Sequence, residues 1–170
     1  MNLSWRSLRK DIGAVAVAAS LGLASALLGG CTSETAEEPA YVERPVADIY
    51  NEAMDSMEAG RYTEAAQGFD EVERQHPYSN WATKAQIMAA YAWYLKGEYD
   101  DAIVALNRFV DLHPGHKEAA YAWYLKGLSY YEQISDVARD QRMTEGALEA
   151  FENVVRRFPD SDYARDARLK

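Results

Sequence analysis

Apolar side chains recur at fixed intervals through most of this chain. Gly60-Arg61-Tyr62 is followed by Ala65, Phe69 and Val72 and closed by His76-Pro77; Gly97-Glu98-Tyr99 is followed by Ala102, Leu106 and Phe109 and closed by His113-Pro114. Every landmark of the second set lies 37 residues after its counterpart. A third set, Ala147, Phe151, Val154 and Phe158-Pro159, keeps the internal spacing but follows 45 residues after the second. Steps of four and three place these residues on one face of an α-helix. The alanines are small because a neighbouring helix must approach there. Gly60 and Gly97 end a preceding helix, where a residue free to take positive φ is needed. Each proline stops the helix before it, lacking an N–H and crowding the preceding turn.

Two helices per unit, a small residue at the crossing, a large one four positions later and a closing proline make up the tetratricopeptide (TPR) pattern. The fold class expected is therefore all-α, a TPR superhelix of antiparallel helix pairs. Phasing on the prolines gives repeats at 46–82, 83–119 and 120–161, with a fourth begun at 162–170. The fourth is visible because Pro159 to Ala167 repeats Pro77 to Ala85 at an offset of 82, so that Tyr163 stands where Trp81 does. A repeat cut off partway leads to the expectation that this is the N-terminal part of a longer protein. In the third repeat eight extra residues fall within Glu132 to Gly146. They are read either as a partner surface or as a solvated loop carrying Asp136, Arg139, Asp140 and Arg142.

The heptapeptide Tyr-Ala-Trp-Tyr-Leu-Lys-Gly occurs twice, at Tyr91–Gly97 and at Tyr121–Gly127, 30 residues apart. That is seven short of the repeat, nearly two helical turns, so both copies present the same face. Gly97 then lies at a turn and Gly127 in mid-helix, where its size permits close packing. First helices of TPR units line a concave groove. Groove positions in this register are Tyr50, Met54 and Met57; Lys84, Ile87, Tyr91, Tyr94 and Leu95; and Tyr121, Tyr124, Leu128, Tyr131 and Glu132. Tyrosine offers a broad apolar face plus a hydroxyl with few rotors, which suits peptide binding. Tyr50, Met54, Tyr91, Tyr94, Tyr121, Tyr124 and Tyr131 are the candidate peptide-binding residues, while Trp93, Trp123 and Tyr130 are read as ordinary core.

Ahead of the repeats, Arg6, Arg9 and Lys10 precede an apolar run from Ile12 to Leu28, which is the layout of an export signal. The run ends Leu28-Gly29-Gly30-Cys31, resembling the lipobox of bacterial lipoproteins. Residues 1–30 are expected to be a signal peptide, Cys31 to become the first residue and to carry covalent diacylglyceryl and N-acyl lipid, and 31–45 to be a flexible tether. Several acyl chains anchor stably where one anchors only marginally. Thr32, rather than Asp, follows the cysteine, and by resemblance this points to the periplasmic face of the outer membrane.

A formal charge of -9 and no clustered basic surface argue against a nucleic-acid partner. No metal-ligand, phosphate-loop or nucleophile–base arrangement is legible. His113-Pro114-Gly115-His116 is a weak metal signal, since His76 equally precedes a closing proline. No cofactor and no enzyme activity are expected. More specific are His76-Pro-Tyr-Ser-Asn-Trp81-Ala, Arg108-Phe-Val-Asp-Leu-His-Pro-Gly115, Tyr130-Tyr-Glu-Gln-Ile-Ser-Asp-Val137 with Arg139-Asp-Gln141, and Val155-Arg-Arg-Phe-Pro159 with Tyr163-Ala-Arg-Asp-Ala-Arg-Leu-Lys170. Through these, Val46 to Lys170 resembles the BamD family, TPR lipoproteins of the outer-membrane β-barrel assembly machinery, particularly its alphaproteobacterial form. That resemblance implies a non-catalytic role: binding the aromatic C-terminal β-signal of unfolded outer-membrane proteins and working with BamA and other Bam subunits. The alternative reading is a TPR scaffold for secretin, pilus or envelope-division complexes.

Overall fold

Seven helices and no strand make up the described part of the chain: α1 Val46–Glu58, α2 Tyr62–Gln75, α3 Asn80–Lys96, α4 Tyr99–Leu112, α5 Ala119–Tyr131, α6 Gln141–Arg157 and α7 Asp162–Ala167. The structure is a computed structural model and describes residues 43–135 and 141–170. The signal segment, Cys31 and the tether up to residue 42 lie outside the described residues, as do Asp136, Arg139 and Asp140.

Local sequence sets where these helices start and stop. Ser79 and Ser161, equivalent positions two residues after a closing proline, cap α3 and α7: each hydroxyl accepts from a backbone N–H three residues on, Ala82 and Ala164, at 3.1 Å. At the corresponding place before α5 stands His116, whose ring Nδ1 accepts from the Glu118 N–H at 3.2 Å. α3 begins three residues before the repeat boundary expected at 83 because the serine cap nucleates it there. Its end is Gly97 at φ 83°, where the Glu98 N–H reaches back to the Trp93 carbonyl at 3.0 Å.

α2 and α4 are amphipathic and bury one stripe each, Ala65, Phe69 and Val72 in the first, Ala102, Leu106 and Phe109 in the second. α3 is apolar nearly all round because it has neighbours on both sides. Ala85, Ala89 and Ala92 pack against α1 and α2, whereas Ile87 and Ala90 belong to the core shared by α4 to α7. Burying a leucine- or phenylalanine-sized side chain contributes about 1.5–3 kcal/mol, so this row of landmarks is the main source of cohesion.

Consecutive helices pack against one another, and in addition α1 meets α3, α3 meets α5 and α5 meets α7. Among the described residues no such approach joins α2 to α4 or α4 to α6. The odd-numbered helices therefore form an inner layer and the even-numbered ones splay outside it, which is the curvature of a TPR superhelix.

Two segments differ from expectation. Residues 43–45, expected as the end of the tether, are fastened to the end of α2: the Arg44 N–H donates to Gln75 Oε1 at 2.9 Å, and His76 Nε2 lies 2.6 Å from the Arg44 carbonyl oxygen. The third repeat's insertion is partly helical. α6 starts at Gln141, a turn ahead of Thr144, the equivalent of the Tyr62 and Tyr99 that open α2 and α4.

Candidate functional site: an aromatic face on the inner helices

The duplicated heptapeptide supplies the centre of this face. Tyr91 and Tyr94 lie three residues apart on α3 and stack with ring centroids 6.5 Å apart. Tyr94 also meets Tyr99, at the start of α4, at 5.6 Å. Tyr121 and Tyr124 repeat the spacing on α5, and both meet Tyr163 of α7, at 5.3 and 5.6 Å. The Tyr124 hydroxyl donates to the Asp166 carboxylate one turn further along α7. Behind it, Tyr124 rests on Phe151 of α6 at 5.9 Å.

The two copies pack against one buried cluster. Burial pushes the Tyr121 phenol far above its ordinary range, and the phenols of Tyr91, Tyr163 and Tyr94 and the Glu118 carboxylate push the same way. Tyr124 is raised to about 12, first by burial and then by its bond to Asp166. Tyr94 is raised by burial and by Glu132. At neutral pH the phenols of Tyr94, Tyr121 and Tyr124 are therefore protonated, half-buried rings that present apolar faces together with hydroxyl donors and acceptors.

Of the seven candidate peptide-binding residues, the structure packs Tyr91, Tyr94, Tyr121 and Tyr124 against one cluster. Tyr50 is only 8% exposed and belongs to the core of the first repeat, wedged between Trp81 at 4.8 Å and Phe69 at 5.3 Å. Met54 is half-buried against the same cluster. Tyr131 is 44% exposed but stands apart, with the Lys170 ammonium 5.6 Å from its ring, at the rim of a cavity of about 550 Å³ shared with Leu148 and Phe151.

Tyr99, Tyr163 and Asp166 were not anticipated. Repetition of the surroundings carries a signal for Tyr163: Tyr50 with Phe69 and Trp81 in the first repeat recurs as Tyr124 with Phe151 and Tyr163. A second consequence of that equivalence is charge. Asp166, beside Tyr124 and Tyr163, occupies the position that Lys84 occupies beside Tyr50 and Trp81, seven residues after the closing proline.

Elsewhere the chemistry is structural. A cavity of about 710 Å³ opens between α2 and α4 over Trp93, but its wall is self-paired, Glu73 with Arg108. His113 and His116 pack against Phe109 at 5.1 and 5.8 Å, and His113 Nε2 lies 3.1 Å from Gln86 Oε1. Among the described residues no group of three or more His, Cys, Asp or Glu side chains converges as a metal site would require. No helix there is long and apolar enough to cross a membrane.

Antiparallel helix pairs stacked in register, with one aromatic face on the inner layer, define a TPR-like helical-repeat protein. The chain belongs to the YfiO family of outer membrane lipoproteins, whose model matches residues 42–170. It is similar to the outer membrane protein assembly factor BamD of Caulobacter vibrioides, 46% identical over 159 residues, covering 92% of this chain and 51% of that protein. It is also similar to the proteins of the same name from Rickettsia prowazekii, 38% identical over 144 residues (85% of this chain, 57% of that protein), and Neisseria gonorrhoeae, 35% identical over 164 residues (89% and 60%). The chain thus spans about half to three-fifths of the length of these curated relatives.

Proposed function

We propose that this chain is the substrate-receiving part of an outer-membrane protein assembly factor. It acts without catalysis, as an adaptor that holds the aromatic-ended C-terminal β-signal of an unfolded outer-membrane protein on the inner helices and presents it to BamA and the other Bam subunits. The observation that carries this reading is the single patch formed by Tyr91, Tyr94, Tyr121, Tyr124 and Tyr163 from three different helices. Four half-buried rings and the more open ring of Tyr163 present apolar surface on the inner helices, and a face spread over successive repeats fits an extended segment. Relatives named outer membrane protein assembly factors supply the biological setting. Attachment through diacylglyceryl and N-acyl chains on Cys31 would keep the face at the periplasmic side of the outer membrane, where such substrates arrive.

The test is binding of synthetic peptides ending in a β-signal, read by fluorescence anisotropy. Replacing Tyr91 and Tyr124 together by alanine should weaken binding about tenfold or more, since each aromatic pair is worth about 0.5–1.5 kcal/mol beyond its area. Unchanged affinity in a variant that remains helical would remove the aromatic face as the binding surface.

A further inference from the structure

The inner face is electrically polarised, and on that basis we propose that it reads the end of a peptide: Lys84 receives the terminal carboxylate of the bound segment. This rests on the peptide-binding reading above. The same repeat position is filled by Lys84 on α3, Tyr121 on α5 and Asp166 on α7, so one structural row runs from an ammonium through a phenol to a carboxylate. The charged side chains that act on the central tyrosines are negative: Glu118 on Tyr121, Glu132 on Tyr94, and Asp166 on Tyr124. A peptide carboxylate placed there would meet like charge.

Lys84 stands at the other end of the row. Its ammonium lies 5.8 Å from the Trp81 ring and 6.0 Å from the Tyr50 ring, contacts that hold it over the inner side of the first repeat. Among the described residues it has no ion pair. By contrast Lys96 faces Glu98 at 3.6 Å, Lys117 faces Glu118 at 3.9 Å, and Lys126 is 8% exposed. Near the start of α3, where no acidic residue sits in the first turn, the helix dipole adds positive potential. Lys84 and Tyr91 are seven residues apart, about 10 Å along the helix, so they share one stripe and three extended residues of a ligand bridge them. A free carboxylate at Lys84 and aromatic side chains at Tyr91 and beyond thus fit a chain terminus, lying with its upstream part toward α7.

The experiment compares two forms of one peptide, with alternating aromatic residues and a terminal phenylalanine, made as the free acid and as the C-terminal amide. Binding is measured to the full chain in detergent micelles. The acid should bind roughly fivefold or more tightly, as expected for a charge-assisted bond, and the preference should shrink on raising salt. Lys84→Gln should bind acid and amide alike; Lys84→Arg should keep the preference, and Asp166→Asn should keep it too. Equal binding of the two forms to the unaltered chain overturns end recognition while leaving the peptide-binding reading intact. Persistence of the preference in Lys84→Gln, or its loss in Lys170→Gln, overturns the assignment to Lys84. Binding of neither form overturns both.

Discussion

Replacing Gly127 by alanine sets two opposing effects against each other. A Cβ built on Gly127 would lie 2.5, 2.6 and 2.9 Å from Cε1, Cδ1 and Cζ of Phe151. Carbon atoms rest about 3.5–4.0 Å apart, so the ring has to withdraw by about 1 Å. Phe151 is buried, and Tyr124 lies against it, so the displacement is passed into the aromatic face. Overpacking of this kind costs about 1–3 kcal/mol. Alanine in place of glycine within a helix returns about 1 kcal/mol. The net expectation is a loss of about 1 kcal/mol, a fall in Tm of about 3–5 °C for a domain of this size. Urea unfolding followed by far-ultraviolet circular dichroism measures it, and a double-mutant cycle with Phe151→Leu isolates the cause. The smaller side chain should remove most of the cost of the alanine, a coupling of about 1 kcal/mol. Stabilisation by the full helix-propensity gain, with additive effects in the double variant, would show that the approach of α6 to α5 does not depend on the missing side chain.

Alkaline stability should report the buried phenols. Below pH 10 Tyr121 and Tyr124 are protonated in both folded and unfolded chains; above it the unfolded chain releases protons that the native state retains at Tyr124 to about pH 12, so stability falls as pH rises through that window. Urea midpoints at about pH 9 and about pH 11 should show the drop, and the drop should be smaller in Tyr124→Phe; an identical drop would exclude Tyr124 as its source. For the membrane anchor, Cys31→Ala should abolish incorporation of radiolabelled palmitate and move the chain from the membrane to the soluble fraction, whereas continued membrane association with no label would place the anchor elsewhere.

The landmarks that repeat were legible because they answer to local geometry. Ala65, Phe69 and Val72, with their counterparts on α4 and α6, are spaced by the helix itself, and the αL turn at Gly97 admits few other residues. What was not legible depends on residues remote in sequence. Tyr50 and Tyr124 occupy the same repeat position, yet one is sealed and the other half-open. Trp81 closes over Tyr50 at 4.8 Å, whereas Tyr163, itself 36% exposed, sits 5.6 Å from Tyr124. The phase of a helix says which way a ring points; the ring arriving from the next repeat decides how much of it stays uncovered. The start of α6 was hidden for a different reason: Gln141, Arg142 and Met143 are good helix formers with no landmark among them, so spacing alone assigned them to the loop.

The unequal layering of the helices also fixes how the stack can yield. Its inner rim carries rings of α3 and α5 packed on one core, with those of α5 in contact with Tyr163 of α7, while along the outer rim α2 and α4 are linked by the exposed ion pair of Glu73 with Arg108, a bond of the kind that contributes about 0–1 kcal/mol and weakens in salt. Mechanically this is a bow with a stiff belly and a soft back. Bending of the stack is therefore expected to open the back, with each repeat turning a little and no helix unwinding, at small elastic cost.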